Sequence, residues 1–290
     1  MIRLFTSCLT LFLAITPVLF AQWSSNPAAN NPLCLETRNQ RLVRVISDGK
    51  GGTIFTWEDE RPLANAYDIY AQRMDANGNL LWALNGTPVC TVFGSQNKPQ
   101  IVSDQRGGAW IVWKDVRNQD NDIFIQRIDS TGTPLYASGG IDLVPMGLKA
   151  REQSDPVICT DGKGGAYVAF MDNIQGGNFD NQIMLISIDS AGNIPWSSAG
   201  YVSPITRGSG MFQYMPMICS DGAGGCIVVW QWFIGGASGQ YDLYAQRINA
   251  SGYLRWGSKG VGLCTTAGSQ GYPVTDEDGL RGVVTAWPDF

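Results

Sequence analysis

One pattern recurs five times along this 290-residue chain and restricts what it can fold into. Asp48, Asp104, Asp161, Asp221 and Asp278 are spaced 56, 57, 60 and 57 residues apart. Nine residues after each comes an aromatic: Trp57, Trp113, Phe170, Trp230 and Trp287. Eight residues before each comes Gln40, Gln96, Gln153, Gln213 or Gln270. Five residues before, Pro99, Pro156, Pro216 and Pro273 fill four copies and Val43 the first. A Gly pair follows the Asp at 51–52, 107–108, 164–165 and 224–225, while the fifth copy keeps Gly282. Two residues beyond the aromatic stand Asp59, Asp115, Asp172 and Asp289, with Trp232 in the fourth copy. Self-similarity at this period marks a repeat architecture.

Each copy reads as a small antiparallel sheet. A short apolar strand such as Gln100-Ile101-Val102 enters an Asp-x-x-Gly-Gly turn, where Asp bonds nearby backbone and Gly takes positive φ. A strongly β-forming strand follows, as in Ala109-Trp110-Ile111-Val112-Trp113. A third strand alternates, as in Asp68–Asp75 and Asp242–Asn249, and its turn ends at Gly78, Gly132, Gly192 or Gly252. Trp82, Tyr136, Trp196 or Trp256 comes four residues later, and a segment such as Thr87-Pro88-Val89-Cys90 closes the unit. Four strands in about 57 residues predict an all-β propeller of four-stranded antiparallel blades, four full and a partial fifth. The expected boundaries are 22–40 for an N-terminal closing strand, 41–95, 96–152, 153–212 and 213–269 for full blades, and 270–290 for the partial one. Pro32-Leu33-Cys34-Leu35 matches a fourth strand without its first three, the kind of strand that locks a ring. A unit that stops after its second strand leaves unpaired edge groups, so an N-terminal fragment of a longer propeller is expected.

Composition narrows the chemistry. The chain has no histidine, which removes Ser-His-Asp and Cys-His catalysis and imidazole metal ligands. The net charge is −5 and no long basic run occurs, so no nucleic-acid partner is expected. Residues 1–21 read as a signal peptide, with Arg3 before a largely apolar run from Leu4 to Phe20 and Ala21 at the cleavage point. A secreted or cell-surface protein with no membrane span after cleavage follows. Six cysteines remain, without a CxxC pair; Cys219 and Cys226 flank one turn, but small buried strand residues are the plainer reading.

The Gln-x-x-Pro, Ser/Thr-Asp-x-x-Gly-Gly, Trp-x-Asp and Asp-Ile-Tyr-Ala-Gln-Arg pieces resemble the repeats of secreted bacterial β-propeller proteins, often large surface proteins with a C-terminal sorting domain. The resemblance covers Cys34 to Phe290 and implies a propeller, without naming a ligand. The Asp-box of sialidase-type propellers and the signatures of WD40 blades do not match.

The turn aspartates, the repeated Gln residues and the repeated Trp residues are expected to be structural: turn bonds, backbone bonds between blades, and sheet-on-sheet packing. Residues that break the repeat are better ligand candidates. They are Trp232, Phe233, Tyr241, Phe179, Phe212 and Tyr214, an aromatic patch suited to an extracellular protein or a glycan. Asp115, Asn118, Asp120 and Asp122 offer oxygen donors close together, so calcium is the one cofactor considered, although the spacing is not that of an EF-hand. The leading functional expectation is an exported non-catalytic propeller that binds protein or carbohydrate at the cell surface. The alternatives are a carboxylate-dependent propeller glycoside hydrolase or lyase, and a scaffold within a larger surface protein. The enzyme needs two acids roughly 5 to 9.5 Å apart, drawn from the unrepeated Glu58, Glu60, Asp120, Glu152, Asp155 and Asp180. Their spacing selects no pair.

Overall fold

The computed structural model describes residues 31–61, 66–118, 120–144, 151–173, 181–196, 212–235 and 239–290. Among them there is no helix, and hence none long and apolar enough to cross a membrane. The signal segment 1–21 lies outside the described residues, as do Phe179 and Asp180.

The first blade comprises β1 (Gln40–Ser47), β2 (Thr53–Asp59), β3 (Asp68–Met74) and β4 (Thr87–Cys90), hydrogen-bonded in that order. The second comprises β5 (Gln96–Ser103), β6 (Ala109–Asp115), β7 (Asp122–Ile128) and β8 (Ile141–Asp142). The third has β9 (Glu152–Thr160), β10 (Ala166–Asn173) and β11 (Asn181–Ile188). The fourth has β12 (Phe212–Ser220), β13 (Cys226–Ile234), β14 (Gln240–Ile248) and β15 (Val261–Cys264). The fifth pairs β16 (Val274–Glu277) with β17 (Val283–Ala286). The repeat predicted the strands and their antiparallel order.

Blades stack face to face in chain order. Ile54, Ala71 and Val89 of the first meet Ile111, Trp113 and Ile128 of the second. Trp110, Val112 and Ile125 on the opposite face of the second meet Val168, Phe170 and Ile186 of the third. Alternation along each β-strand supplies both faces, which is why β6 and β7 carry apolar residues on both sides. Each fully buried aliphatic side chain in these seams contributes roughly 1.5–3 kcal/mol. Trp82 and Trp196 also hydrogen-bond across a seam, to the carbonyls of Ser130 (3.2 Å) and Ala250 (3.0 Å).

The repeated turn aspartates are structural, as expected. Asp48 Oδ1 accepts the amides of Lys50 (2.7 Å) and Gly52 (2.8 Å), and Asp104 does the same for Arg106 and Gly108. Strand three adds a partner that the turn pattern alone does not show. Arg73, Arg127 and Arg247 pair with Asp48, Asp104 and Asp221 at 2.8–2.9 Å. Arg73 and Arg127 then donate to Ser130 O and Ser190 O, one blade further on.

Two expectations need correction. The repeated Gln residues do join blades, but mainly through their main chain. The amides of Gln96, Gln153 and Gln270 donate to Tyr67 O, Asn121 O and Tyr241 O of the preceding blade at 2.7–2.8 Å. Among the side chains Gln213 Oε1 crosses in the same way, accepting Ile183 N at 2.8 Å. The closing strand at Pro32–Leu35 is not formed either: this stretch lies as coil against the first blade. Leu35 N donates to Asn85 Oδ1, and Cys34 Sγ sits 4.0 Å from Asp59, the place Cys90 holds beside Asp115. The cysteines from Cys34 onward are free thiols, and Cys219 and Cys226 are not opposite one another across their turn.

Asp68 faces Asp59 across β2 and β3. Burial first and the Asp59 charge second raise its pKa to about 6, against the opposing pull of Arg61. Because the folded pKa lies above the unfolded one, the folded state holds the extra proton between about pH 4 and 6. Stability from this group is therefore full below that window and is lost as pH rises through it, by about 2–3 kcal/mol. Urea denaturation of the wild type and Asp68→Asn at pH 4.5 and 7 checks this. The variant is expected to lose this component of the pH slope, and an unchanged slope contradicts the assignment.

Candidate functional site

The Gln-x-x-Pro segment builds the site. In the innermost strand of each of the first four blades, pairing with strand two slips just after the Gln, at 41/44, 97/100, 169/171 on the β10 side, and 214/217. Proline suits a bulge because it has no amide to offer the ladder. The residue before it is the notable one. Leu42, Lys98, Asp155, Met215 and Tyr272 all have φ between 50° and 54°. Such a conformation costs a non-glycine residue on the order of 1–3 kcal/mol. Glycine would relieve that strain, yet none of these five positions carries it in a chain with 35 glycines. The side chains are kept in spite of the backbone strain, and they differ from blade to blade.

These five residues surround two adjoining cavities on the inner strands. The first, of about 440 Å³, is lined by Asp155, Met171, Tyr214, Met215, Gln231, Tyr241, Tyr272 and Phe290, with Ser269–Gly271. The second, of about 320 Å³, is lined by Leu42, Arg44, Lys98, Gln100, Asp155, Val157, Met215 and Met217, with Pro156, Pro216 and Pro273. Asp155 and Met215 belong to both. Among the described lining residues Asp155 is the one carboxylate.

Asp155 is held from two sides. Lys98 Nζ lies 2.5 Å from Oδ1, bridging the second and third blades, and Ser154 Oγ donates to Oδ2 at 3.0 Å. Lys98 is itself anchored, its amide donating to Glu58 Oε1 at 2.7 Å. Glu58 is 1% exposed, and its other oxygen takes Arg41 Nε at 2.6 Å. This acid therefore positions the Lys98 backbone and does not open onto the cavities. Of the remaining unrepeated acids, Glu60 accepts from Asn39 and Glu152 from Asn121. Neither Glu60, Glu152 nor Asp120 is among the lining residues.

The aromatic patch is partly assembled. Tyr214 and Tyr241 meet edge-on at 5.8 Å and line the first cavity. Phe233 packs on Tyr241 (5.2 Å) and Phe212 on Phe233 (5.8 Å), behind that wall. Trp232 turns to the other side of β13 and lies against Tyr244 at 5.0 Å, away from the cavity lining. Sequence reasoning missed Arg44, Lys98, Gln100, Tyr272 and Phe290. The signal for the first four lay in positions two and four after each repeated Gln, the variable slots inside a conserved frame.

Trp232 leaves a trace of its own. In the first two blades the repeated Trp donates Nε1 to the Asp two residues on, at 2.8 Å for Trp57–Asp59 and for Trp113–Asp115. Arg61 and Arg117 complete these clusters with bonds to both carboxylate oxygens. With Trp232 in the acid's place, the buried Trp230 Nε1 has no partner. Phe at Trp113 strands Asp115 of a donor, whereas Phe at Trp230 removes an unpaired N–H. For the same change in volume, W113F is expected to cost about 1–3 kcal/mol more than W230F. Equal losses in chemical denaturation contradict the difference.

At the residues considered for calcium, both oxygens of Asp115 are taken by Arg117 and Trp113, and Asn118 donates to Asp122 at 2.9 Å. Among the described residues no three acidic or cysteine side chains converge as a metal site.

No protein-family model matches the chain, and no curated protein is significantly similar to it. Solved structures do match. An α-L-arabinofuranosidase from Fusarium graminearum aligns over 88% of this chain and 76% of its own, with TM-score 0.55 and 13% identity. An α-L-arabinanase from Penicillium chrysogenum, complexed with arabinobiose, aligns over 88% and 77%, with TM-score 0.54 and 16% identity. A polysaccharide lyase acting on ulvan aligns over 82% and 58%, with TM-score 0.54 and 9% identity. At these identities the likeness establishes the fold, an all-β propeller. The leading functional expectation, a non-catalytic binding propeller, is corrected by the same finding: the similar folds are those of arabinan-cleaving glycoside hydrolases.

Proposed function

We propose that this chain is a carbohydrate-cleaving propeller of the glycoside-hydrolase type, taking a saccharide into the paired cavities with Asp155 as one of the two carboxylates that chemistry uses; the other is not among the described lining residues. The observation that carries the reading is Asp155 itself. It is unrepeated, sits on a strained backbone where Gly would be cheaper, opens into both cavities, and is oriented by Lys98 and Ser154. A histidine-free chain has carboxylates as its natural acid–base groups. Tyr214, Tyr241, Tyr272 and Phe290 supply the aromatic surface on which sugar rings stack. The similar folds that cleave arabinose-containing glycans support the same class. The signal-like segment 1–21 supports an enzyme that acts outside the cell, where polymeric glycans are met.

The test is release of reducing ends from a panel of plant and algal polysaccharides, arabinan included, by the wild type and by Asp155→Asn. Cleavage that disappears in the variant supports the reading. Full activity in the variant, or no cleavage of any glycan by the wild type, overturns it.

A further inference from the structure

We infer that the second cavity binds the carboxylate of a uronic-acid residue, making the substrate an acidic saccharide; this rests on the carbohydrate reading above. The cavity is two-sided. The left-handed residue and the residue two further on face it from four blades, Asp155 and Val157 being the third blade's pair. The others are Leu42 and Arg44 in the first blade, Lys98 and Gln100 in the second, and Met215 and Met217 in the fourth. The fourth-blade side is apolar, and the second-blade side is polar.

Charge is unbalanced on the polar side. Lys98 is matched by Asp155 at 2.5 Å. Arg44 is exposed in the cavity and, among the described residues, forms no ion pair: its Nε donates to Gln100 Oε1 at 3.1 Å and its Nη1 to Val43 O at 3.4 Å. Elsewhere among the described residues, buried or half-buried arginines in this fold are paired with a turn or loop aspartate, as Arg73, Arg117 and Arg127 are. Arg44 is exposed instead, and it lines this cavity beside Gln100 without a carboxylate of its own. Its Nη2 edge remains for a ligand. The Gln100 amide oxygen is occupied by Arg44, which leaves the Gln100 NH₂ group to donate beside it. A guanidinium with a neighbouring amide N–H is a donor set matched to a planar carboxylate. A sugar ring whose apolar face lies on Met215 and whose carboxylate reaches Arg44 and Gln100 fits both sides. Neutral sugars leave the Arg44 charge unanswered.

Calorimetric titration of the full wild-type chain, which keeps Asp155 on Lys98, tests this, with chromatography of each probe afterwards to check that it is intact. The probes are tetragalacturonate, its methyl ester and neutral arabinotetraose. The expected result is tetragalacturonate binding at least tenfold tighter than its ester, weakening with added salt. Arg44→Met is expected to remove that preference while leaving the midpoint of thermal unfolding in place, since Arg44 makes no buried ion pair; Arg44→Lys is expected to restore part of it. Equal affinity for acid and ester, or a preference that survives Arg44→Met, overturns the inference. If arabinotetraose binds and tetragalacturonate does not, the acidic-substrate inference fails and the carbohydrate reading stands. If neither saccharide binds, the carbohydrate reading fails with it.

Discussion

Asp115→Ala is expected to destabilise the protein by about 3–5 kcal/mol. The carboxylate is 1% exposed and receives Trp113 Nε1 and three donors from Arg117, at 2.5–2.9 Å. Removing it leaves a guanidinium half-buried over the Phe124 ring and an indole N–H with no acceptor. Both remain desolvated in the seam between the first two blades, so the loss exceeds that of an exposed pair. Asp59→Ala in the first blade has the same partners and the same expected cost. The exposed Asp289 is the internal control. It accepts from Gln270 at 3.0 Å without an arginine among its hydrogen bonds, and its replacement by Ala is expected to cost about 1 kcal/mol or less. Urea denaturation of the three variants measures the ranking. A loss below about 1 kcal/mol for Asp115→Ala contradicts the view that these clusters fasten the blades.

Asp155→Asn is expected to lower turnover by about 10²–10⁴-fold, the range for loss of a positioned acid–base group. Asparagine tolerates positive φ well, so the left-handed backbone at this position is preserved and the fold is not in question. The split between kinetic constants is the informative part. Loss of a group that acts on the bond being broken lowers kcat with KM little changed, whereas Tyr241→Ala, which removes part of the cavity wall, is expected to raise KM. Glu152→Gln serves as the comparison, because that acid lies outside both cavities. Equal effects of Asp155→Asn and Glu152→Gln on kcat contradict the role given to Asp155.

The repeat made most of the fold legible, because its constraints are local. An Asp whose carboxylate caps the amides two and four residues on, with Gly at the tight positions, specifies a hairpin whatever surrounds it. The Trp at strand two and the alternation of β3 and β7 likewise follow from a two-residue period packed on both faces. Other features depend on partners far away in the chain. Gly86 and Gly140 look like loop residues, yet a Cβ on either would strike the ring of Trp57 or Trp113 within 2.8 Å. The offset of Cys34 predicts a strand, whereas coil holds it in the matching place beside Asp59.

The site divides in the same way. Tyr214 and Tyr241 break the repeat and line the first cavity. Trp232 breaks the repeat too but lies on the opposite side of its strand, next to Tyr244, because neighbouring strand residues point to opposite faces. Asp155 stood among six unrepeated acids that no spacing could rank.

By itself the sequence determined the blade, its turns and its number of copies, since those rest on offsets within some 57 residues. The tertiary structure alone decided which side chains meet around the paired cavities. Arg44, Lys98, Asp155, Met215 and Tyr272 come from five different blades, more than 50 residues apart from one to the next. Only the stacking of blades, which buries one sheet face on the next and turns every inner strand to the same centre, brings such distant residues within reach of one ligand.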